Sequence, residues 1–512
     1  MRLPIISNVQ KSKKDTGAFA GINQSEVINE NEFANMWNLS SDLYPAIGPR
    51  KPRGDVISTL AKANGIHYND GLAWVDGTKF FYRGNEAGTV SDSRKQMVSM
   101  GAYIVIMPDK KVYNTSTGEW RSMETSWTQA AEAKFEPTTE ASTFIRITCT
   151  GIGKAFDQWD GVTISGCTNE NFNKSVVIQS KADDSIVVIG DLAEAFTQAS
   201  GLKINRSAPD MDFITENGNR IWGCSSKNHE IYASKLGDPC NWNSFEGIST
   251  DSYAATIGSD GDFTGAATHL GYVLFFKEDR IHKVYGSKPS NIQINSYEGR
   301  GVKSGCADSI QNIDGTLYFA SCDGVCAYDG SLPYLISKNI KRSYSEARGG
   351  AQGGKYYLSM RTEQGTEMYV YDTQYRLWHL EDSCWMIASC IGSGELYYID
   401  ADQAVRKITG GTERIKWRME SGDQEEGSLD KKKLHKLKLL LELDRGAIAE
   451  LWIRYENDPM WQRLQTITAD KKQMFFIPLK PRRCEHYRWK LEGAGNFKLL
   501  GAAIEYGQGS GR

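Results

Sequence analysis

The chain has no apolar run approaching eighteen residues, so no segment of it reads as a bilayer-crossing helix. Its ten cysteines are dispersed, at 149, 167, 224, 240, 306, 322, 326, 384, 390 and 484, and form no CxxC pair or zinc-ribbon spacing. Cys322 and Cys326 come nearest, but the Asp323-Gly324 between them reads as a tight hairpin turn rather than a ligand loop. Dispersed thiols, with no signal peptide behind MRLPIISN, indicate a soluble protein made in a reducing cytoplasm. An excess of either charge is also missing. The 60 Lys and Arg against 63 Asp and Glu leave a formal −3, which supplies no global pull toward nucleic acid or anionic membrane. Catalytic signatures are lacking too: GxSxG, HExxH, Walker A and EF-hand patterns do not occur. His229-Glu230 has no second His at the required spacing, and GRGVKSG (299–305) does not space its glycines as a phosphate loop. No metal, cofactor or catalytic residue is therefore expected, and the chain reads as a non-enzyme. The alternative is a propeller glycoside hydrolase, whose carboxylates would come from different blades and escape a linear scan. The turns ending in Trp120 and Trp378 lack the full serine, aspartate and glycine set of a sialidase turn.

What is abundant is turn chemistry and aromatic residues, with 50 Gly, 24 Tyr and 13 Trp in 512 residues, which favours many short strands over long helices. A unit of strand, polar turn and strand recurs seven times, starting at residues 71, 101, 219, 271, 315, 354 and 394. The last four intervals are close to the roughly 40 to 50 residues of a four-stranded propeller blade, and the long gap after 101 indicates an insertion. Two units share more: VYNTSTGEW (112–120) and VYDTQYRLW (370–378) both read Val-Tyr-Asn/Asp-Thr, four residues, then Trp. In such a turn the Asn or Asp side chain bonds the backbone two residues on, while the Tyr and Trp rings cover the sheet. Trp120, Trp222, Tyr232 and Trp378 are accordingly expected to pack between blades rather than to stack on a ligand. The fold class is mainly β, a β-propeller of about seven blades over 57–120 and 209–412, with GIHY (65–68) read as the outer strand that fastens the last blade.

Residues 121–208 carry their own strand runs, TFIRITC, GVTISG, KSVVIQS and DSIVVIG, and read as an inserted small β-sandwich module or as two irregular blades. Residues 413–512 read as a terminal β-sandwich or jelly roll. Within it the KKKLHKLK cluster (431–438) could be a nucleic-acid patch. The stronger reading sets Leu437, Leu439, Leu441 and Leu443 toward a core and Lys436 and Lys438 toward water. Residues 1–56 have no repeat partner, and Pro45, Pro49 and Pro52 exclude a long helix or a central strand there, which leaves an extended arm. Phe19, Ile22, Phe33, Trp37 and Tyr44 are too many large apolar groups for water, so they pack on the chain's own propeller or on a neighbouring subunit.

The order of certain words then carries a resemblance. GINQ, NMWNLSSDLYP and GPRKPRG, followed by PDMDF, NRIWGC, IYASKLGDPCNWNSFEG, STDSYA and IPLKPRRCEHYRWKLEG, resemble the tail and packaged-DNA stabilisation proteins of bacteriophages, among them the β-propeller subunits of tail nozzles. The resemblance implies a virion protein synthesised in the host cytoplasm and assembled as a ring, often of six copies, below the portal or its adaptor. The ring would surround the DNA exit channel, retain packaged DNA and conduct it at ejection, without sequence-specific contacts or a membrane span. It also implies that Tyr44, Pro45, Arg50 and Arg53 anchor the arm to adjoining subunits; the apolar Phe19, Ile22 and Trp37 are counted with them as the candidate subunit-interface arm. The rival in a different class is a distal-tail adhesin whose inserted or C-terminal β module binds a host glycan.

Overall fold

The computed structural model describes residues 11–139, 143–427, 429–480 and 482–508; the opening MRLPIISN, read above for a leader, lies outside them. Strand accounts for 52% of the chain and helix for 3%, which fixes the class as mainly β. Two compact units are present: Leu60–Tyr334, and the residues up to Thr59 together with those from Leu335 onward.

Four-stranded antiparallel sheets dominate both units. In Leu60–Tyr334 their first strands are Ala63–Tyr68, Gln96–Met100, Phe213–Glu216, Gly265–His269 and Gln311–Ile313, and each sheet pairs its strands in chain order. In the other unit two such sheets begin at Tyr344–Gln352 and Ala388–Gly392. The turn into the second strand is often a pair of left-handed residues, as at Asp314-Gly315 (φ 49° and 79°) and Ser393-Gly394 (φ 50° and 78°). That geometry matches the twist of the flanking strands, and glycine adopts it without a Cβ penalty. The units found in the sequence start at this turn and run along the second and third strands, which are the most apolar of each sheet. Tyr272–Phe276 and Arg280–Tyr285 are the example.

Within the units, four pairs of consecutive sheets are stacked face to face with an apolar core between them. Phe80, Ile104 and Ile106 fill the space between the first and second sheets. Val105, Val112, Ile214 and Ile221 lie between the second and third. Trp222, Ile231, Val273 and Phe275 join the third to the fourth. In the other unit Tyr357, Val370, Leu396 and Tyr398 do the same for the sheets that start at 344 and 388. The last of these is completed by Ser58–Thr59, just past the arm, which pairs with Ala404–Lys407. This corrects the expectation for GIHY: Gly65 to Tyr68 belong to the first strand of a different sheet, because Ile66 and His67 pair with Trp74 and Ala73.

Between the second and third sheets, Thr125–Thr128 through Lys203–Arg206 form an eight-stranded sheet with its own core of Phe135, Ile147, Phe172, Ile186 and Ile204. C-terminal to the last four-stranded sheet lie two five-stranded sheets, and each takes one strand from the arm. Lys11–Thr16 pairs with Phe497–Gln508, and Phe33–Trp37 pairs with Lys416–Ser421. Past a register shift at Leu434/Lys436, alternation buries Leu437, Leu439, Leu441 and Leu443, while Lys436 and Lys438 lie on the opposite face. Trp417 of one sheet packs on Phe497 of the other, ring centroids 3.8 Å apart.

Candidate functional site

The arm expected over 1–56 is held largely by its own chain. Phe19 and Ile22 are buried. Phe19 lies 5.7 Å from the Phe33 ring, which in turn meets Trp489 edge-on at 5.9 Å. The Ile22 N–H donates to the Trp378 carbonyl at 2.7 Å. Tyr44 stacks on Tyr375 at 4.2 Å, and the Pro45 carbonyl accepts from the Phe19 N–H. The part of each side chain buried here is committed within the chain and is not free for a neighbouring subunit. Tyr44 and Pro45 remain exposed, and Trp37 is half-buried at a separate place.

Arg50 and Arg53 are brought together in a buried charged cluster. Arg53 Nη2 lies 2.7 Å from Glu381 and 2.9 Å from Asp382, and Arg50 Nη2 lies 3.2 Å from Asp382. Arg50 Nε also donates to Asn38 Oδ1 at 2.7 Å. Beside them Lys355 pairs with Asp42 and donates to Ser40 Oγ, and Ser41 Oγ donates to Asp372 Oδ2 at 2.6 Å. Burial alone would raise the Glu381 pKa, but the charge of Arg53, helped by His379 and Arg50, overrides it and holds the carboxyl down to about 2. Burial also lowers the pKa of His379, which therefore stays neutral at pH 7. For Arg53 burial is outweighed by Asp382 and Glu381, which keep it charged. The sequence reading found the two arginines but missed Glu381 and Asp382. The available signal was an adjacent carboxylate pair directly after the apolar strand Leu377–Leu380.

A second polar cluster collects three other words of the resemblance, NRIWGC, IYASKLGDPCNWNSFEG and STDSYA, all within Leu60–Tyr334. Buried Arg220 donates to the carbonyls of Ser234, Asp251 and Ser249 at 2.7, 2.5 and 2.8 Å. Asp251 Oδ2 accepts three consecutive backbone N–H groups, from Glu246, Gly247 and Ile248. Asn241 accepts from Gly161 N–H and donates to the Trp159 carbonyl, which ties this loop to the inserted module. The sequence reading missed Arg220 and Asp251 as partners, since 31 residues separate them.

The expected packing residues lie as follows. Trp222 is buried in the core between the third and fourth sheets. Tyr232 is partly buried against the preceding core, and its hydroxyl, donating to Glu230, is pushed up to about 12 by burial and that carboxylate. The Trp120 indole N–H donates to the Ala87 carbonyl of the preceding sheet at 2.6 Å, and that of Trp378 to the Ile336 carbonyl at 2.9 Å.

Chemically, both clusters hold backbone in place. A cavity of about 610 Å³ opens beside Arg53, lined by Asp382, Cys384, Trp385, Tyr398 and Arg406. Burial and Asp382 push the Cys384 thiol up to about 12, and burial raises Tyr398, so neither supplies an anion near neutral pH. Among the described residues no group of three or more His, Cys, Asp or Glu could hold a metal ion.

No family model and no curated protein matches the chain. Among solved structures it is similar to the computationally designed Ika8 protein, at 10% identity over 70% of this chain and 100% of that one, with a TM-score of 0.36. It is also similar to BamB from Moraxella catarrhalis (9% identity, 74% and 98% covered, TM-score 0.32). An exo-β-1,3-galactanase from Phanerochaete chrysosporium follows (8% identity, 57% and 94% covered, TM-score 0.23). At such TM-scores these likenesses carry no weight for the function of this chain.

Proposed function

We propose that the chain is a structural subunit of a bacteriophage tail, a seven-bladed β-propeller with an inserted β module and a C-terminal β-sandwich. Copies assemble head to tail into a closed ring at the head-tail junction, bound to the portal or adaptor and to other tail proteins. The ring surrounds the exit channel, retains packaged DNA and conducts it at ejection. One observation carries this reading: the words that resemble phage tail proteins supply the residues of the two buried polar clusters, Arg50 with Arg53 and Arg220 with Asp251. Residues that fasten an arm and a loop to sheets suit a building block. The near-neutral charge supports a conduit, since a lumen rich in Lys and Arg would hold phosphates. A closed heterologous interface makes the ring from one repeated contact.

Electron microscopy of purified particles decorated with antibody to this chain tests the proposal. Label at the head-tail junction or tail is the expected result. Particles without label there, or substrate turnover by the isolated chain, would overturn it.

A further inference from the structure

The lysine-rich run 431–438 leaves its charges on one face of a sheet. In Lys432–Leu443 the leucines turn inward, so the outer face of this five-stranded sheet carries Lys433, Lys436 and Lys438. Register places Arg483, of the short strand Arg483–Cys484, directly opposite Lys433, with Gly507 as the neighbour on the other side. Both cations are exposed. The next row sets Lys436 between Pro478 and Glu505. Lys480, also exposed, follows Leu479, whose N–H donates to the His435 carbonyl at 3.0 Å, and so belongs to the same edge.

The carboxylates of this edge have other partners. Glu505 lies 3.3 Å from Lys438, Asp458 2.6 Å from Arg482, and Glu485 3.9 Å from Lys431. On the strand Lys11–Thr16 of the same sheet, Asp15 pairs with Lys13 at 2.8 Å. Lys433, Lys436, Lys480 and Arg483 are left with no ion-pair partner among the described residues, and the Lys436 ammonium rests 5.7 Å from the Phe476 ring. Like charges directly opposite each other on neighbouring strands repel, and no carboxylate of the chain pairs with either Lys433 or Arg483. The unpaired cations extend over two rows of the sheet, further than one small anion reaches. Lys432–Leu443 is hydrogen-bonded to a strand on each side, so a ligand meets its side chains alone. The complement to such a face is a polyanion whose charge repeats along its length.

We propose that this face binds the phosphate backbone of double-stranded DNA. Lys433 and Arg483 share one phosphate, and Lys436 and Lys480 meet the phosphates beside it, by charge and without reading bases. The choice of DNA among polyanions rests on the ring reading above, whereas the row of unpaired cations does not. Each copy then adds a few phosphate contacts to a chain that is near neutral as a whole, a hold that several copies multiply and that salt weakens.

The test titrates the full chain with duplex DNA of arbitrary sequence, by fluorescence anisotropy, over a range of salt. Binding independent of sequence is expected, with log K falling against log salt at a slope of roughly −3 to −4 for four cations. Lys433→Ala and Arg483→Ala should each weaken binding several-fold and make the slope shallower by about 1, whereas Lys203→Ala, at an exposed lysine of the inserted module, should change neither. Circular dichroism checks the fold of each variant, and Lys480→Ala, between two strands, replaces either one that is disturbed. No binding, a slope near zero, losses no greater than that of Lys203→Ala, or tighter binding to polyglutamate or to phosphatidylglycerol vesicles than to DNA would overturn the proposal. Particles that label at the tail while the chain ignores DNA sink this face alone; DNA binding with unlabelled particles sinks the ring alone.

Discussion

The turns that end in Trp120 and Trp378 are written with the same motif and perform the same local task, yet they sit in different surroundings. Asn114 Oδ1 accepts from the N–H groups of Ser116 and Thr117, and Asp372 Oδ1 from those of Gln374 and Tyr375. Both indoles then reach back to a backbone carbonyl. Around Trp378 the arm adds a second layer, with Ile22 on its carbonyl and Ser41 on the spare oxygen of Asp372. Trp378 is 4% exposed, whereas Trp120 stays half-buried. A carboxylate at position 372 gives the arm a charged acceptor that the amide at 114 could not supply. One motif thus serves as plain sheet packing in one place and as a fastening point in the other.

Four experiments would sharpen that contrast or break it. Trp378→Ala should cost about 3 to 5 kcal/mol in chemical denaturation, and Trp120→Ala clearly less, because part of its ring is already in water. Equal losses would mean that the arm adds no burial. Arg53→Ala should cost about 3 kcal/mol by leaving Glu381 buried without its ion-pair partner and Asp382 with Arg50 alone, and should expose residues 40–56 to limited proteolysis. Asp372→Ala should cost about 2 kcal/mol, roughly twice Asn114→Ala, since it removes the turn cap and the Ser41 bond together. The last effect, a graded one, is expected from pH. Glu381, at about 2 when folded against 4.5 unperturbed, contributes stability that is complete above about pH 4.5 and lost as pH falls toward 2. His379, lowered from 6.5, adds a loss that begins as pH drops below that value. Proteolysis of the arm should therefore quicken progressively in acid, while the turn at Asn114, which has no titrating cap, resists.

Much of this was legible from periodicity. The strand-turn-strand units fall on the second and third strands of four-stranded sheets because those strands are the most buried, and burial is what an apolar pattern records. First and fourth strands were harder to see. Gln311–Ile313 and Ser58–Thr59 are too short and polar to signal themselves, and the latter joins its sheet across more than 340 residues. For the same reason GIHY, with a clear strand pattern, was assigned to the wrong sheet. The arm read as extended because of its prolines, but its pairing with Lys416–Ser421 and Phe497–Gln508 is long-range and leaves no local trace. Of the site, Arg50 and Arg53 were found through the resemblance, while Glu381, Asp382, Arg220 and Asp251 are joined only by folding.

Cryo-electron microscopy of the purified chain tests the central claim most directly. The account predicts seven radial sheets in each subunit, the last completed by Ser58–Thr59, and subunits closed into a ring around an open channel. Sheets that do not radiate from one axis, or a subunit that stays solitary at concentrations where tail proteins assemble, would contradict it.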